Sequence, residues 1–135
     1  MNGDVLAKVR YTELLDFHHA HGGAATLAVR EYAVQIPFGV TDVEPDGRVR
    51  AVTEKPTERF IVNAGIYVID PACLALIPKD TYFDMTTLLG ELLAQDLGVY
   101  SYVVDGYWLD VGRAADLQQA HADFDAQWRD DEDAE

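Results

Sequence analysis

Residues 59–70 read RFIVNAGIYVID. An apolar run of this kind, rich in β-branched and aromatic residues, marks a strand buried on both faces, and such strands belong to sheets covered by helices on each side. Two residues interrupt the run. Asn63 and Gly65 are not what a fully buried strand calls for.

The neighbouring segments fit an α/β chain with a mixed sheet. Upstream, residues 37–56 read as a hairpin turning at Pro45-Asp46-Gly47, a dipeptide-rich turn signal between alternating strands. Before it, residues 25–34 (ATLAVREYAV) alternate as a strand, with Leu27 and Val29 on one face and Ala28 and Arg30 on the other. Residues 11–21 carry Leu14, Leu15 and His18 at helical spacing, and Gly22-Gly23 ends the helix. Downstream, Pro71 ends the apolar strand and a short helical turn follows. Asp84 is the expected N-cap of a helix burying Leu88, Leu89, Leu92 and Leu93, with Gly98 as its stop. Val99–Val104 is a further strand. Leu117, Ala120, Phe124 and Trp128 mark a last amphipathic helix, and residues 129–135 an acidic, disordered tail after a domain spanning 1–128.

The chain has 135 residues, 49% hydrophobic and 25% charged, enough for one domain with a core. No apolar run approaches a membrane span, and no leader is evident. Cys73 is the one cysteine, which fits a buried apolar role and a reducing cytoplasm. The net charge of −14 argues against nucleic acid as a partner and means that an anionic substrate needs a metal or local cations.

Four places hold polar residues that folding alone does not demand: Asp4, Glu54-Lys55-Pro56, Asn63 with Gly65, and Asp110 in YWLDVG. Ligands in open α/β sheets bind beyond the carboxyl ends of strands, where Glu54, Lys55 and Asp110 fall. Each has a plainer reading. Asp4, which precedes a helix-like apolar run with no strand before it, reads as a helix cap or part of a frayed terminus. Glu54-Lys55 reads as an exposed ion pair, with Lys55 extended ahead of Pro56. Asn63 reads as a partner for buried backbone groups, Asp110 as a turn cap and Trp108 as core. His18, His19 and His21 cluster at a helix end, but three histidines so close in sequence rarely face one point, and no partner has metal-site spacing.

Taken in order, the segments NGD, FGV, EKP, VNAGIYV, FDM and YWLDVGR resemble the sugar-1-phosphate nucleotidyltransferase family, from residue 2 to about residue 124. Among its branches they look most like bacterial mannose-1-phosphate guanylyltransferases and their close relatives. The resemblance implies an incomplete Rossmann-like, layered nucleotide-diphospho-sugar transferase fold. It implies that Asp4 and Asp110 hold Mg²⁺ and that Lys55 grips the sugar phosphate. Glu54 would bind sugar hydroxyls, with Gly39, Asn63 and Gly65 lining the sugar pocket. The substrates implied are a nucleoside triphosphate and a sugar 1-phosphate. Where the family usually has Pro and Glu at the start of the last helix, this chain has Ala114 and Ala115.

The family's glycine-rich triphosphate loop is expected upstream of NGD, and nothing like it occurs in these residues. The expectation is therefore a back portion of such an enzyme, inactive alone, with an exposed apolar edge or face that favours homo-oligomers. A non-catalytic sugar-phosphate-binding or regulatory relative is the alternative.

Overall fold

A computed structural model describes residues 1–132. The element order is β1 (Val5–Ala7), α1 (Tyr11–His21), β2 (Ala25–Gln35), β3 (Val40–Val43), β4 (Val49–Thr53) and β5 (Thr57–Ile69). A 3₁₀ turn (Pro71–Leu76), α2 (Met85–Ala94), β6 (Val99–Val103), β7 (Trp108–Asp110) and α3 (Ala114–Glu132) follow. Parallel and antiparallel ladders coexist, but in three sheets instead of one: β1-β7, β5-β2-β6 and β3-β4. β2 and β6 run parallel, whereas β1-β7 and β3-β4 are antiparallel.

The chain divides into two compact units, residues 1–29 with 63–135, and residues 30–62. The first unit has two cores. Leu14, Ala28, Ala64, Ile66 and Val104 form one. Ala25, Cys73, Leu88, Leu89 and Leu92 form the other. β2 is central in its sheet, so Ala25, Thr26, Ala28 and Val29 are all buried; the alternation expected from its sequence is overridden by packing on both faces. His18 is also buried, with Nδ1 3.0 Å from Thr26 Oγ1, which satisfies both polar groups in the interior.

Asp84 caps α2 as expected, its Oδ1 accepting from Thr87 N–H at 2.7 Å. The helix ends earlier than Gly98, at Ala94, because Asp96 already takes a left-handed conformation. Four of the expected core positions face outward: Leu15, Leu93, Leu117 and Phe124. On α3 only Ala120 of the four stripe residues is buried, while Phe124 is exposed and stacks on Trp128. The Ala114-Ala115 departure does not prevent helix formation. Arg113 N–H donates to Asp116 Oδ2 at 3.0 Å, and the Arg113 side chain pairs with the same carboxylate. α3 continues four residues into the stretch expected as a tail; residues 133–135 lie outside the described residues.

The second unit is a hairpin with its flanking strand ends. Gly47 has φ 87°, and Asp46 Oδ1 accepts from Arg48 N–H, closing the turn at Pro45-Asp46-Gly47 as its sequence predicts. Val40 pairs with Thr53 at the open end. Glu31 and Arg59 form an ion pair between its flanking strand ends.

Candidate functional site

In the first unit the decisive element is one the sequence does not announce. The residues after Asp4 form strand β1 instead of continuing into helix, and β1 pairs with β7 so that Val5 lies opposite Asp110. Beyond that pair, Val111 N–H donates to the Asp4 carbonyl at 2.7 Å. The ladder therefore brings Asp4 and Asp110 to the same end of a two-stranded sheet. Both are exposed. A Cβ on Gly112 would lie 3.3 Å from Asp110 Oδ1, so the glycine leaves that carboxylate room.

Asn63 and Gly65 belong to the same neighbourhood. Gly65 has φ 73° inside β5, a conformation that favours glycine. The space is equally restrictive, because a Cβ on Gly65 would meet Asn2 Nδ2 at 2.9 Å and Val5 Cγ2 at 3.1 Å. The Gly65 carbonyl accepts from Asn2 N–H at 2.8 Å, so the residues just before Asp4 lie against β5. Asn63 Oδ1 accepts from Gly65 N–H at 2.9 Å, and its amide donates to Tyr67 Oη at 2.8 Å. The side chain of Asn63 thus braces the irregularity at Gly65. Trp108 closes the arrangement from β7, its indole N–H donating to the Ala64 carbonyl at 2.8 Å. Trp108 is half-buried and packs on the first core, so the core reading of this residue holds.

Asn2 is the residue that sequence reasoning left without a structural role here. The signal for Asn2 was the glycine in β5, which marks close approach of another backbone.

Next to β7, Tyr107 donates its hydroxyl to Asp123 Oδ2 at 2.8 Å. Burial, reinforced by that carboxylate, pushes the Tyr107 phenol up to about 12. It stays a neutral donor across the physiological range and ties β7 to α3.

The second unit gathers Gly39, Glu54 and Lys55. A Cβ at Gly39 would lie 3.1 Å from Glu54 Oε2, so the glycine gives that carboxylate room. Lys55 N–H donates to the Phe38 carbonyl at 3.2 Å. Lys55 is not extended as expected: its φ is 45°. Glu54 and Lys55 do not form an ion pair with each other.

Among the described residues no group of three or more His, Cys, Asp or Glu is arranged to hold a metal ion. Asp4 and Asp110 supply two hard oxygen donors. That donor set suits Mg²⁺, which takes one or two carboxylates, keeps several waters and shares substrate phosphates. No helix among the described residues is long and apolar enough to cross a membrane.

The family model for nucleotidyl transferases matches residues 1–127. The mannose-1-phosphate guanyltransferase of Kluyveromyces lactis is 34% identical over 123 residues, covering 87% of this chain and 33% of the relative. That of Saccharomyces cerevisiae is 33% identical over the same length and coverage. Mannose-1-phosphate guanylyltransferase 1 of Arabidopsis thaliana is 34% identical over 121 residues, 86% of this chain and 33% of the relative. The chain thus spans about a third of the length of these relatives. In three dimensions it is similar to HddC from Yersinia pseudotuberculosis, with a TM-score of 0.59 at 20% identity, over 92% of this chain and 53% of that one. A Bacillus anthracis protein provisionally described as a glucose-1-phosphate thymidylyltransferase gives 0.61 at 20% identity, over 89% and 51%. These likenesses establish the fold as that of the nucleotide-sugar transferases.

Proposed function

The chain belongs to the nucleotidyl transferase family, and on that premise we propose that it supplies the sugar-phosphate and metal side of an enzyme of nucleotide-sugar synthesis. The reaction is nucleotidyl transfer from a nucleoside triphosphate to a sugar 1-phosphate, of the mannose-1-phosphate guanylyltransferase kind. The observation that carries this reading is the β1-β7 ladder, which sets Asp4 and Asp110 at one end of a sheet.

The chemistry fits these residues. An oxygen of the sugar phosphate attacks the α-phosphorus and pyrophosphate leaves, so two anions must approach one another. Asp4 and Asp110 would hold Mg²⁺, which when bound neutralises the phosphates and favours in-line displacement. The Lys55 ammonium offers a point charge for the sugar phosphate. Glu54, beside the open space at Gly39, offers acceptors for sugar hydroxyls. No protein base is needed, because the attacking phosphate is already ionised; the side chains act by positioning and electrostatics.

Residues 1–135 contain no glycine-rich loop opening a helix to cradle a triphosphate. We therefore expect this polypeptide to bind mannose 1-phosphate without turnover. The exposed Val43, Val49, Val52, Phe38, Phe60 and Ile61 of the second unit also support self-association of this polypeptide. The lone buried thiol of Cys73 fits a cytoplasmic setting. Calorimetry with mannose 1-phosphate and Mg²⁺, alongside a pyrophosphate assay with GTP, tests the reading. Binding without pyrophosphate release is expected. Failure to bind would remove the sugar-phosphate role, and turnover at an ordinary enzyme rate would remove the inactivity.

A further inference from the structure

Two adjacent carbonyls of β5 hold the two segments that carry the carboxylates. The Ala64 carbonyl accepts from the indole N–H of Trp108, which stands two residues before Asp110. The Gly65 carbonyl accepts from the backbone N–H of Asn2, two residues before Asp4. The φ of 73° at Gly65 breaks the regular strand at this point. A left-handed glycine inside a strand is the mark of a bulge, and bulges re-aim groups beside functional sites.

Asn63 holds the break in place. Its Oδ1 accepts from Gly65 N–H at 2.9 Å, the bond to the residue two positions on by which an asparagine fixes an irregular backbone. Its amide donates to Tyr67 Oη at 2.8 Å, which keeps the side chain from rotating out of reach of Gly65. Asn63 is exposed, so its orientation comes from these two hydrogen bonds and not from packing. The far end of the relay is Asp4, just outside β1. The Asp4 carbonyl accepts from Val111 N–H at 2.7 Å, and on the other side of Asp4 the chain is tied by the bond from Asn2 to Gly65. A strand end tied on one side alone frays.

We propose that Asn63 is a positioning residue for the metal carboxylate Asp4. It keeps Gly65 left-handed, Gly65 directs its carbonyl to Asn2, and that bond holds the segment bearing Asp4 against β5. The proposal rests on the metal role proposed above for Asp4 and Asp110. It gives Asn63, placed by resemblance in the wall of the sugar pocket, an effect on metal binding that needs no sugar.

The test is a Mn²⁺ titration of the 135-residue chain, read by electron paramagnetic resonance with no sugar phosphate present. Loss of a group that supports a metal ligand lowers metal affinity about 10- to 100-fold, and Asn63→Ala should weaken Mn²⁺ binding about tenfold. In an Asp4→Asn background the same change should cost much less, since the ligand being positioned is already impaired. Unchanged Mn²⁺ affinity, the result for a pocket wall alone, overturns the proposal, and so does an equal loss in both backgrounds. Amide exchange supplies a readout without any ligand. The Val111 amide, whose acceptor is the Asp4 carbonyl, should exchange faster in Asn63→Ala, while the Leu92 amide, in the second core, keeps its protection. No change at Val111, or an equal loss at Leu92, overturns the proposal. Where Asn63→Ala does not fold, Tyr67→Phe takes its place. It removes the partner of the Asn63 amide and keeps the ring, so both readouts should move in the same direction by less, and no movement in either overturns the proposal. If the parent chain takes up no Mn²⁺, the metal reading of Asp4 and Asp110 falls and takes the affinity half of this proposal with it. Exchange at Val111 still decides whether Asn63 holds the Asp4 segment.

Discussion

The two units of this chain are built on opposite terms. Residues 1–29 and 63–128 contain every buried side chain described, whereas no residue between 30 and 62 is buried. The second unit is held by ladder hydrogen bonds, a turn and exposed ion pairs, each worth little in water. Candidate site residues occur in each. Asp4, Asn63, Gly65 and Asp110 stand on the well-packed unit, and Gly39, Glu54 and Lys55 on the other. The positions of Asp4 and Asp110 are fixed by non-local strand pairing, those of Gly39, Glu54 and Lys55 by local backbone geometry.

The largest expected effect tests the first half of that contrast. Leu92→Ala empties a fully buried position in the second core and should cost about 2–5 kcal/mol in urea unfolding. Val52→Ala, in the second unit and 65% exposed, should stay within about 0.5 kcal/mol. Similar costs for the two would erase the distinction. Next, Gly65→Ala forces a Cβ against Asn2 and Val5 at positive φ and should destabilise by about 1–3 kcal/mol, again by urea unfolding. It should also loosen the segment carrying Asp4, which amide exchange at Val5 would register.

Asp110→Asn is expected to weaken Mn²⁺ binding about tenfold or more, read by electron paramagnetic resonance with Mg²⁺ as competitor, while leaving unfolding near that of the parent. The smallest effect concerns Asp84. Hydrogen bonds from Thr87 N–H and the Thr87 and Thr86 hydroxyls hold its carboxyl below the ordinary aspartate value. Its stabilising contribution is therefore present above the ordinary aspartate range and is lost as pH falls through the lowered value. The difference in thermal midpoint between the parent and Asp84→Ala should be full at neutral pH and shrink in that acidic window.

Legibility in the sequence followed the same division. The hairpin turn, the Asp84 cap and β5 were readable because each depends on residues close together: Pro45-Asp46-Gly47, an acid ahead of Thr86-Thr87, an unbroken apolar run. In the second unit Gly39 lies beside Glu54 for the same reason, although the handedness of Lys55 did not follow from its place before proline. On the packed unit local pattern was a poorer guide. β1 is three residues long and exists through β7, so nothing in Val5-Leu6-Ala7 by itself selects strand over helix. Leu15, Leu93 and Leu117 fit helical stripes but face outward, since spacing alone does not say which elements will be there to pack against them.

The β1-β7 ladder has a kinetic consequence. It closes a loop of about a hundred residues, between Val5 and Asp110, and loop closure of that span is compensated only after the intervening helices and strands are in place. Asp4 and Asp110 therefore become neighbours late in folding. A divalent ion binding between them would act as a latch on the finished chain, slowing its unfolding without hastening its folding.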